Sequence, residues 1–239
     1  MSRTGGDPTF GDTWVYESLV GGIPGLQLTT PQAIAVQFVG FETLVLGLAI
    51  VYDLPTAAVS AGTIAVVVAA GGSVAMRHIG TAARELDLPA AYRRLLFGSS
   101  VEVVFGVLAF VASVTYLLVA PGSDGSTPLV TLFGRQPPAP VAFVALLILW
   151  DLCYRIGTSW WTALVSLWRS LRFRVDAETA RRCRRIDAAN VGFALLELGL
   201  LPIVWGNASL VGALVGHVAA VTTVSIGAEL LTKEAAAGH

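Results

Sequence analysis

Residues 54–76 read LPTAAVSAGTIAVVVAAGGSVAM, an unbroken run without Asp, Glu, Lys or Arg. An α-helix rises 1.5 Å per residue, so about 20 such residues cross a hydrocarbon core about 30 Å thick. Residues 103–123 form a second charge-free run, and only His217 interrupts the stretch from Leu198 to Ala228. One apolar run of this length is a candidate span; several define a chain that crosses the bilayer repeatedly.

Composition agrees over the whole length. Of 239 residues, 55% are hydrophobic and 13% charged, and the mean hydropathy is +0.73. Soluble domains carry roughly 25% charge, which excludes an ordinary soluble enzyme. The sequence predicts a single all-α membrane domain, residues 1–239, with six spans at about 32–53, 56–76, 95–120, 139–168, 187–205 and 209–231. Residues 1–12 lack a basic segment leading into an apolar one, so no cleaved signal peptide is expected. Residues 12–20, DTWVYESLV, are too short to span and predict an interfacial helix with Trp14 and Tyr16 at headgroup level.

Orientation follows from the basic residues, whose translocation is disfavoured. With the N-terminus inside, the cytoplasmic side receives 13 of the 15: Arg3, Arg77, Arg84, Arg93, Arg94, Arg169, Arg172, Arg174, Arg181, Arg182, Arg184, Arg185 and Lys233. Only Arg135 falls outside and Arg155 within a span, so both termini are expected to be cytoplasmic and the protein to lie in the cell membrane. Asp53-Leu54-Pro55 and Gly206-Asn207 are tight turns between antiparallel neighbours. Thr30-Pro31 marks a helix start, and Asp87 and Asp176 read as N-caps of helical stems that lead into spans 3 and 5. Glu178 is spaced to pair with Arg181 or Arg182. The loop 121–138, rich in Gly, Pro, Ser and Thr, reads as irregular.

Small residues recur every three or four positions on span 2 (Ala58, Gly62, Ala65, Ala69, Gly72) and span 6 (Gly212, Gly216, Ala220, Thr223, Gly227). Such stripes let helices approach closely, either within one chain or between copies in a homo-oligomer.

The ionisable residues inside the spans carry the functional signal. Glu42, Asp151, Arg155 and Glu197 fall near the middle of their spans, Glu102 roughly 10 Å from the cytoplasmic end of span 3, and His217 within span 6. A charge at the bilayer centre costs about 2.5–3.5 kcal/mol even on insertion scales, so each must face protein or water. Helical periodicity sets Ser99, Glu102, Gly106, Ala109 and Ser113 on one stripe, Asp151, Arg155, Thr158, Thr162 and Ser166 on another, and Asn190, Ala194 and Glu197 on a third. Asp151 and Arg155, one turn apart, predict a buried ion pair. Four carboxylates against one arginine leave a surplus of negative charge, so some are expected to be protonated or to hold a cation.

Two functions fit. One is a small-cation or proton-coupled transporter or channel lined by Glu42, Glu102, Asp151, Arg155, Asn190, Glu197 and His217. The other is a non-transporting scaffold, sensor or assembly factor whose polar core fixes packing. The arginines at 169, 172, 174, 181, 182, 184 and 185 set topology or bind anionic lipid headgroups. Cys153 and Cys183 sit too far apart in the topology to pair, and with three His supply no metal-ligand spacing. There is no Walker A, potassium filter, mid-span lysine or Ser-His-base arrangement, so neither enzyme activity nor a cofactor, metal or nucleic-acid partner is expected.

DTWVYESLVGGIPGL (12–26), AAYRRLLFGSSVEVVFGVLAF (90–110) and LWDLCYRIGTSWW (149–161) resemble an uncharacterised family of polytopic membrane proteins from halophilic archaea. The resemblance extends over nearly the whole chain. It implies a multi-pass fold and carries no activity or site residue.

Overall fold

The computed structural model describes residues 13–14, 29–119 and 125–234. Its helices are α1 (Thr30–Tyr52), α2 (Thr56–Arg84), α3 (Ala90–Gly98), α4 (Val101–Val119), α5 (Pro128–Phe133), α6 (Ala139–Arg172), α7 (Ala177–Glu197), α8 (Leu201–Val204) and α9 (Ala208–Leu231). Six helical units are long and apolar enough to cross a membrane: Pro31–Tyr52, Thr56–Arg84, Ala90–Val119, Ala139–Arg172, Ala177–Val204 and Ala208–Leu231. The architecture is that of an all-α, multi-pass membrane protein. Its only strands among the described residues are β1 (Arg174–Val175) and β2 (Lys233–Glu234), a parallel pair that ties the end of α9 to the α6–α7 connection. The C-terminal ends of α6 and α9 therefore lie at one end of the bundle, the arginine-rich end.

Local chemistry explains most helix ends. Before α1 the cap is Thr29, one residue earlier than expected: Gln32 Oε1 accepts from the Thr29 N–H and hydroxyl, both at 2.9 Å, and Pro31 occupies the first turn. Asp53 ends α1 in the left-handed region at φ 49. Asp176 caps α7, accepting from the Thr179 N–H at 2.8 Å and the Thr179 hydroxyl at 2.9 Å, and these donors hold its carboxyl below the ordinary range. The Glu178 carboxylate meets Arg182 at 2.7 Å, one turn on. Asn207 caps α9 through the Leu210 N–H.

Two expectations are corrected. Asp87 caps nothing, because α3 begins after Pro89, whose fixed φ suits the start of a helix. The loop 121–138 is not wholly irregular: Thr127-Pro128 starts the six-residue α5. The interfacial helix expected over 12–20 lies outside the described residues except for Thr13 and Trp14, and Trp14 is buried against the protein. Its indole donates to the Leu96 carbonyl at 3.3 Å and packs edge-on against Phe97.

Two spans are broken. Between α3 and α4, Ser100 adopts φ 54, a left-handed conformation rare for a side-chain-bearing residue. The carbonyls freed at the end of α3 find other donors: Leu95 accepts from Trp161 Nε1 at 3.1 Å and from the Ser99 hydroxyl at 2.8 Å. The fifth span breaks after Glu197 into a 3-10 turn, Leu198–Leu200, and resumes as α8. Pro202 explains this, since it lacks the N–H that would reach the Leu198 carbonyl four residues back.

The core forms around α6, which packs against α1, α2, α4, α7 and α9. α4 and α6 meet backbone to backbone, because a β-carbon at Gly157 would sit 2.8 Å from the Glu102 carbonyl oxygen and 2.9 Å from Gly106 Cα. The small stripe of α2 packs within the chain: Ala58, Ala65, Ala69 and Gly72 are buried, and a β-carbon at Gly62 would meet Val45 at 2.9 Å. On α9 the stripe is not used this way, since Gly212, Gly216 and Gly227 have nothing within 4 Å of a β-carbon.

Candidate functional site

The polar residues of α6 face three ways, and the neighbouring helices sort the buried charges into three groups. On the side of α1 and α2, Arg155 pairs with Asp151 through two contacts, Nη2 to Oδ1 at 2.7 Å and Nε to Oδ2 at 3.2 Å. Both side chains are buried, and the fork geometry matches a planar guanidinium to a carboxylate. Gln37 of α1 donates to Asp151 Oδ2 at 2.9 Å, so the pair also anchors the least buried span. Gly72 of α2 makes room, because its β-carbon would lie 2.6 Å from both Arg155 Cδ and the Phe193 ring. A slit of about 10 Å³ beside Gln37, Phe41 and Asp151 has room for one water-sized molecule.

The second group lies between α7 and α9. Glu197, wholly buried, approaches His217 with Oε2 2.8 Å from Nε2, and Trp160 lies against the imidazole with ring centroids 5.9 Å apart. Glu197 Oε1 and His217 Nδ1 have no hydrogen-bond partner among the described residues. The carboxyl occupies the last residue of α7, where the α-helix tightens into the 3-10 turn that leads to Pro202. A carboxyl and an imidazole in contact hold one proton with no net charge. Taking up a second proton, or losing the first, creates a charge away from water.

The third group was not foreseen from the sequence. Arg169 Nη2 meets Asp187 Oδ2 at 2.6 Å with both side chains 2% exposed, and Arg169 also hydrogen-bonds the buried Tyr92. This cluster fastens α3, α6 and α7 together at the arginine-rich end. Further along the same face, Asn190 Nδ2 donates to the Ser159 carbonyl at 3.0 Å. Sequence reading missed the ion pair because its members are 18 residues apart on separate helices, beyond any local spacing rule. The available signal was that Asp187 lies three residues before Asn190 on one helical face.

Glu42 and Glu102 stand on other elements. Thr63 of α2 donates to Glu42 Oε1 at 2.7 Å, and the carboxyl is half-buried between α1 and α2. Glu102 is buried in the first turn of α4, two residues from the break at Ser100 and not deep in a continuous helix as its spacing suggested. A helix N-terminus stabilises an anion there. The polar stripe of α4 does meet α6, at Gly157 and through Cys153 Sγ, 3.7 Å from the Ser113 hydroxyl. The seven expected members of the central polar network are thus divided: Asp151 with Arg155, Glu197 with His217, Asn190 on Ser159, Glu42 on Thr63 and Glu102 at the α4 terminus. Five buried or half-buried carboxylates face two arginines, so the negative surplus persists.

The basic patch loses one member by burial. Arg169 points into the bundle toward Asp187, whereas Arg172, Arg174, Arg181, Arg182 and Arg185 are exposed and Arg184 is half-buried. Both cysteines are buried free thiols, and no group of three His, Cys, Asp or Glu suited to a metal ion occurs among the described residues. At the opposite end a groove of about 470 Å³ opens beside Ser60, Ser126, Thr131, Pro202 and Asn207. None of the buried acids lines it, but Pro202 is only five residues beyond Glu197, roughly 8 Å along the helix axis.

A family model described as a family of unknown function (DUF7530) matches residues 9–228. No curated protein and no solved structure matches the chain.

Proposed function

We propose that this chain, which belongs to the DUF7530 family, moves protons across the cell membrane, alone or coupled to a small cation, with Glu197 and His217 as the pair that takes up and releases the proton. One observation carries the reading: a fully buried carboxyl 2.8 Å from an imidazole, at a break in a membrane-length helix. A mid-span change from α to 3-10 geometry marks an irregularity of the kind transporters place at their sites, although here the backbone stays hydrogen-bonded, the Leu198 carbonyl accepting from the Leu201 N–H. Intramembrane acids that lack a permanent cation serve as proton relays in pumps and transporters.

In this reading the termini and the arginine-rich end are cytoplasmic, and the groove beside Pro202 is the outer mouth. Asp151, Arg155, Glu42 and Glu102 hold the spans around the path. The exposed arginines face anionic headgroups, and the open glycine stripe of α9 contacts lipid or a second copy.

The test is proton and cation flux in proteoliposomes with an entrapped pH dye, under imposed pH and salt gradients. Flux is expected from the parent and not from Glu197→Gln. Absence of flux under every gradient would refute the reading and leave the second one, a scaffold, sensor or assembly factor. The closed pairs Asp151–Arg155 and Arg169–Asp187, which crosslink three helices with the help of Gln37, favour that alternative.

A further inference from the structure

An α-helix gives each carbonyl the N–H four residues on, so a turn out of helical geometry orphans the carbonyls just before it. Residues 90–119 contain no proline. The break between α3 and α4 therefore differs from the one at Pro202: every residue in it keeps the N–H that a continuous helix needs. Gly98, Ser99 and Ser100 are weak helix formers, a sequence that permits a break without compelling one. Ser100 nevertheless holds φ 54, which an L-residue adopts only at a steric cost. Tertiary contacts must supply what keeps it there.

Two indoles do so. Trp161 of α6 donates to the Leu95 carbonyl at 3.1 Å, and Trp14 donates to the Leu96 carbonyl at 3.3 Å. In a continuous helix the Leu96 carbonyl would take the Ser100 N–H, so the Trp14 indole stands in for the donor that the break removes. Val101, whose N–H would reach the Phe97 carbonyl, turns instead to the Ser99 hydroxyl at 3.5 Å. The seat fits the ring. Phe97 meets it edge-on with centroids 5.2 Å apart, and a β-carbon at Gly80 of α2 would lie 3.2 Å from Trp14 Cζ3. Trp161 belongs to a packed span, whereas Trp14 precedes the first span and belongs to none. Of the two donors, it alone can leave without moving a span.

We infer that Trp14 is a latch on the third span: seated, it holds the chain bent at Ser100; withdrawn, it lets Ser100 return to helical φ, so that α3 and α4 join into one helix. A Leu96 carbonyl left without a donor in an apolar cluster is unfavourable, and the Ser100 N–H is the donor that the span itself can bring to it. Because α4 is pinned to α6 at Gly106 and Gly157, α3 is the part that moves. It carries Tyr92, which meets Arg169 in the buried cluster at the arginine-rich end. The displaced indole has a second home at headgroup level, where tryptophan is enriched. The latch is a property of the fold and does not depend on the proton-moving reading.

The test is amide hydrogen exchange of the full chain in nanodiscs, referred to the intrinsic rate of each residue, for the parent, Trp14→Phe and Gly80→Val. Trp14→Phe keeps an aromatic ring beside Phe97 but donates nothing. Gly80→Val crowds the indole out of its seat and leaves its N–H intact. In both variants the Ser100 and Val101 amides are expected to gain protection on the order of tenfold as the break closes. Parent-like exchange at these two amides in Trp14→Phe would overturn the latch. So would a loss of protection over residues 92–98 without a gain at Ser100 and Val101, the pattern of a tryptophan that only packs and whose removal frays α3. If Trp14→Phe fails to fold, Gly80→Val decides between the same outcomes, since it leaves α3 and the indole unaltered.

Discussion

Gly157 of α6 lies so close to Gly106 of α4 that a methyl group at 157 would overlap the α4 backbone, 2.8 Å from the Glu102 carbonyl oxygen. Backbone cannot rotate away as a side chain can. Gly157→Ala must therefore push the two spans apart, with an expected loss of about 1–3 kcal/mol, the range for an overpacked core. Thermal unfolding in nanodiscs reads the loss. A Gly157→Ala protein that melts with the parent would show that this crossing has slack.

Asp151 and Arg155 lead to a different pattern of mutants. Removing one member of a buried pair strands the other charge, and Asp151→Ala is expected to lose about 3–5 kcal/mol and express poorly. Pairing Asp151→Ala with Arg155→Leu removes both charges, and expression should recover, since such replacements are often neutral. Gln37 then loses its acceptor, so the recovery should be incomplete. Fluorescence-detected gel filtration of the three proteins decides the matter. A single mutant as well behaved as the double would count against the buried pair.

Pro202 shapes the site without touching it. Pro202→Ala supplies an N–H four residues beyond the Leu198 carbonyl, which now accepts from Leu201, and residues 198–204 are expected to relax from 3-10 to α geometry, slowing amide exchange there. The turn that carries the Glu197 carboxyl would then rotate relative to His217, and proton flux should fall while folding improves. Protected amides with undiminished flux would separate the break from the function.

The six spans were legible because hydropathy summed over 20 residues overwhelms local detail. The Asp151–Arg155 pair was legible because both members sit on one helix, at a spacing that geometry alone turns into contact. The breaks at Ser100 and Leu198 were hidden by the same averaging, even though Pro202 stood in the sequence as a marker. Arg169 reads as one more cytoplasmic arginine until tertiary packing turns it onto Asp187. The carboxylates, counted as one network, are distributed around α6 because side chains only turns apart on one helix face different neighbours. The glycine stripes of α2 and α9 look alike in sequence, and only the fold shows that one is buried and the other open.

Topology has a direct check. In a background without Cys153 and Cys183, Ser126→Cys is expected to react with a membrane-impermeant maleimide in intact cells, and Arg181→Cys only after permeabilisation. Arg181 is exposed and Ser126 half-buried beside the groove, so the order of labelling reports the side of the membrane. The reverse pattern would invert the chain and make the groove beside Pro202 the inner mouth.

Asp176 links acidity to the start of α7. Its carboxyl is held below the ordinary range by the Thr179 N–H and hydroxyl, so the folded state binds a proton there less readily than the unfolded chain. Such a group stabilises fully above the ordinary carboxylate pKa, and the contribution disappears as pH falls through the lowered folded value. Amide protection over residues 177–182, measured relative to the intrinsic exchange rate at each pH, should therefore fall as the medium is taken from neutral to strongly acidic. Asp176→Asn keeps an acceptor for the Thr179 N–H but cannot titrate, so its α7 terminus should lose the acid sensitivity while remaining helical near neutrality. Protection that falls equally in the parent and in Asp176→Asn would assign the acid response to another group.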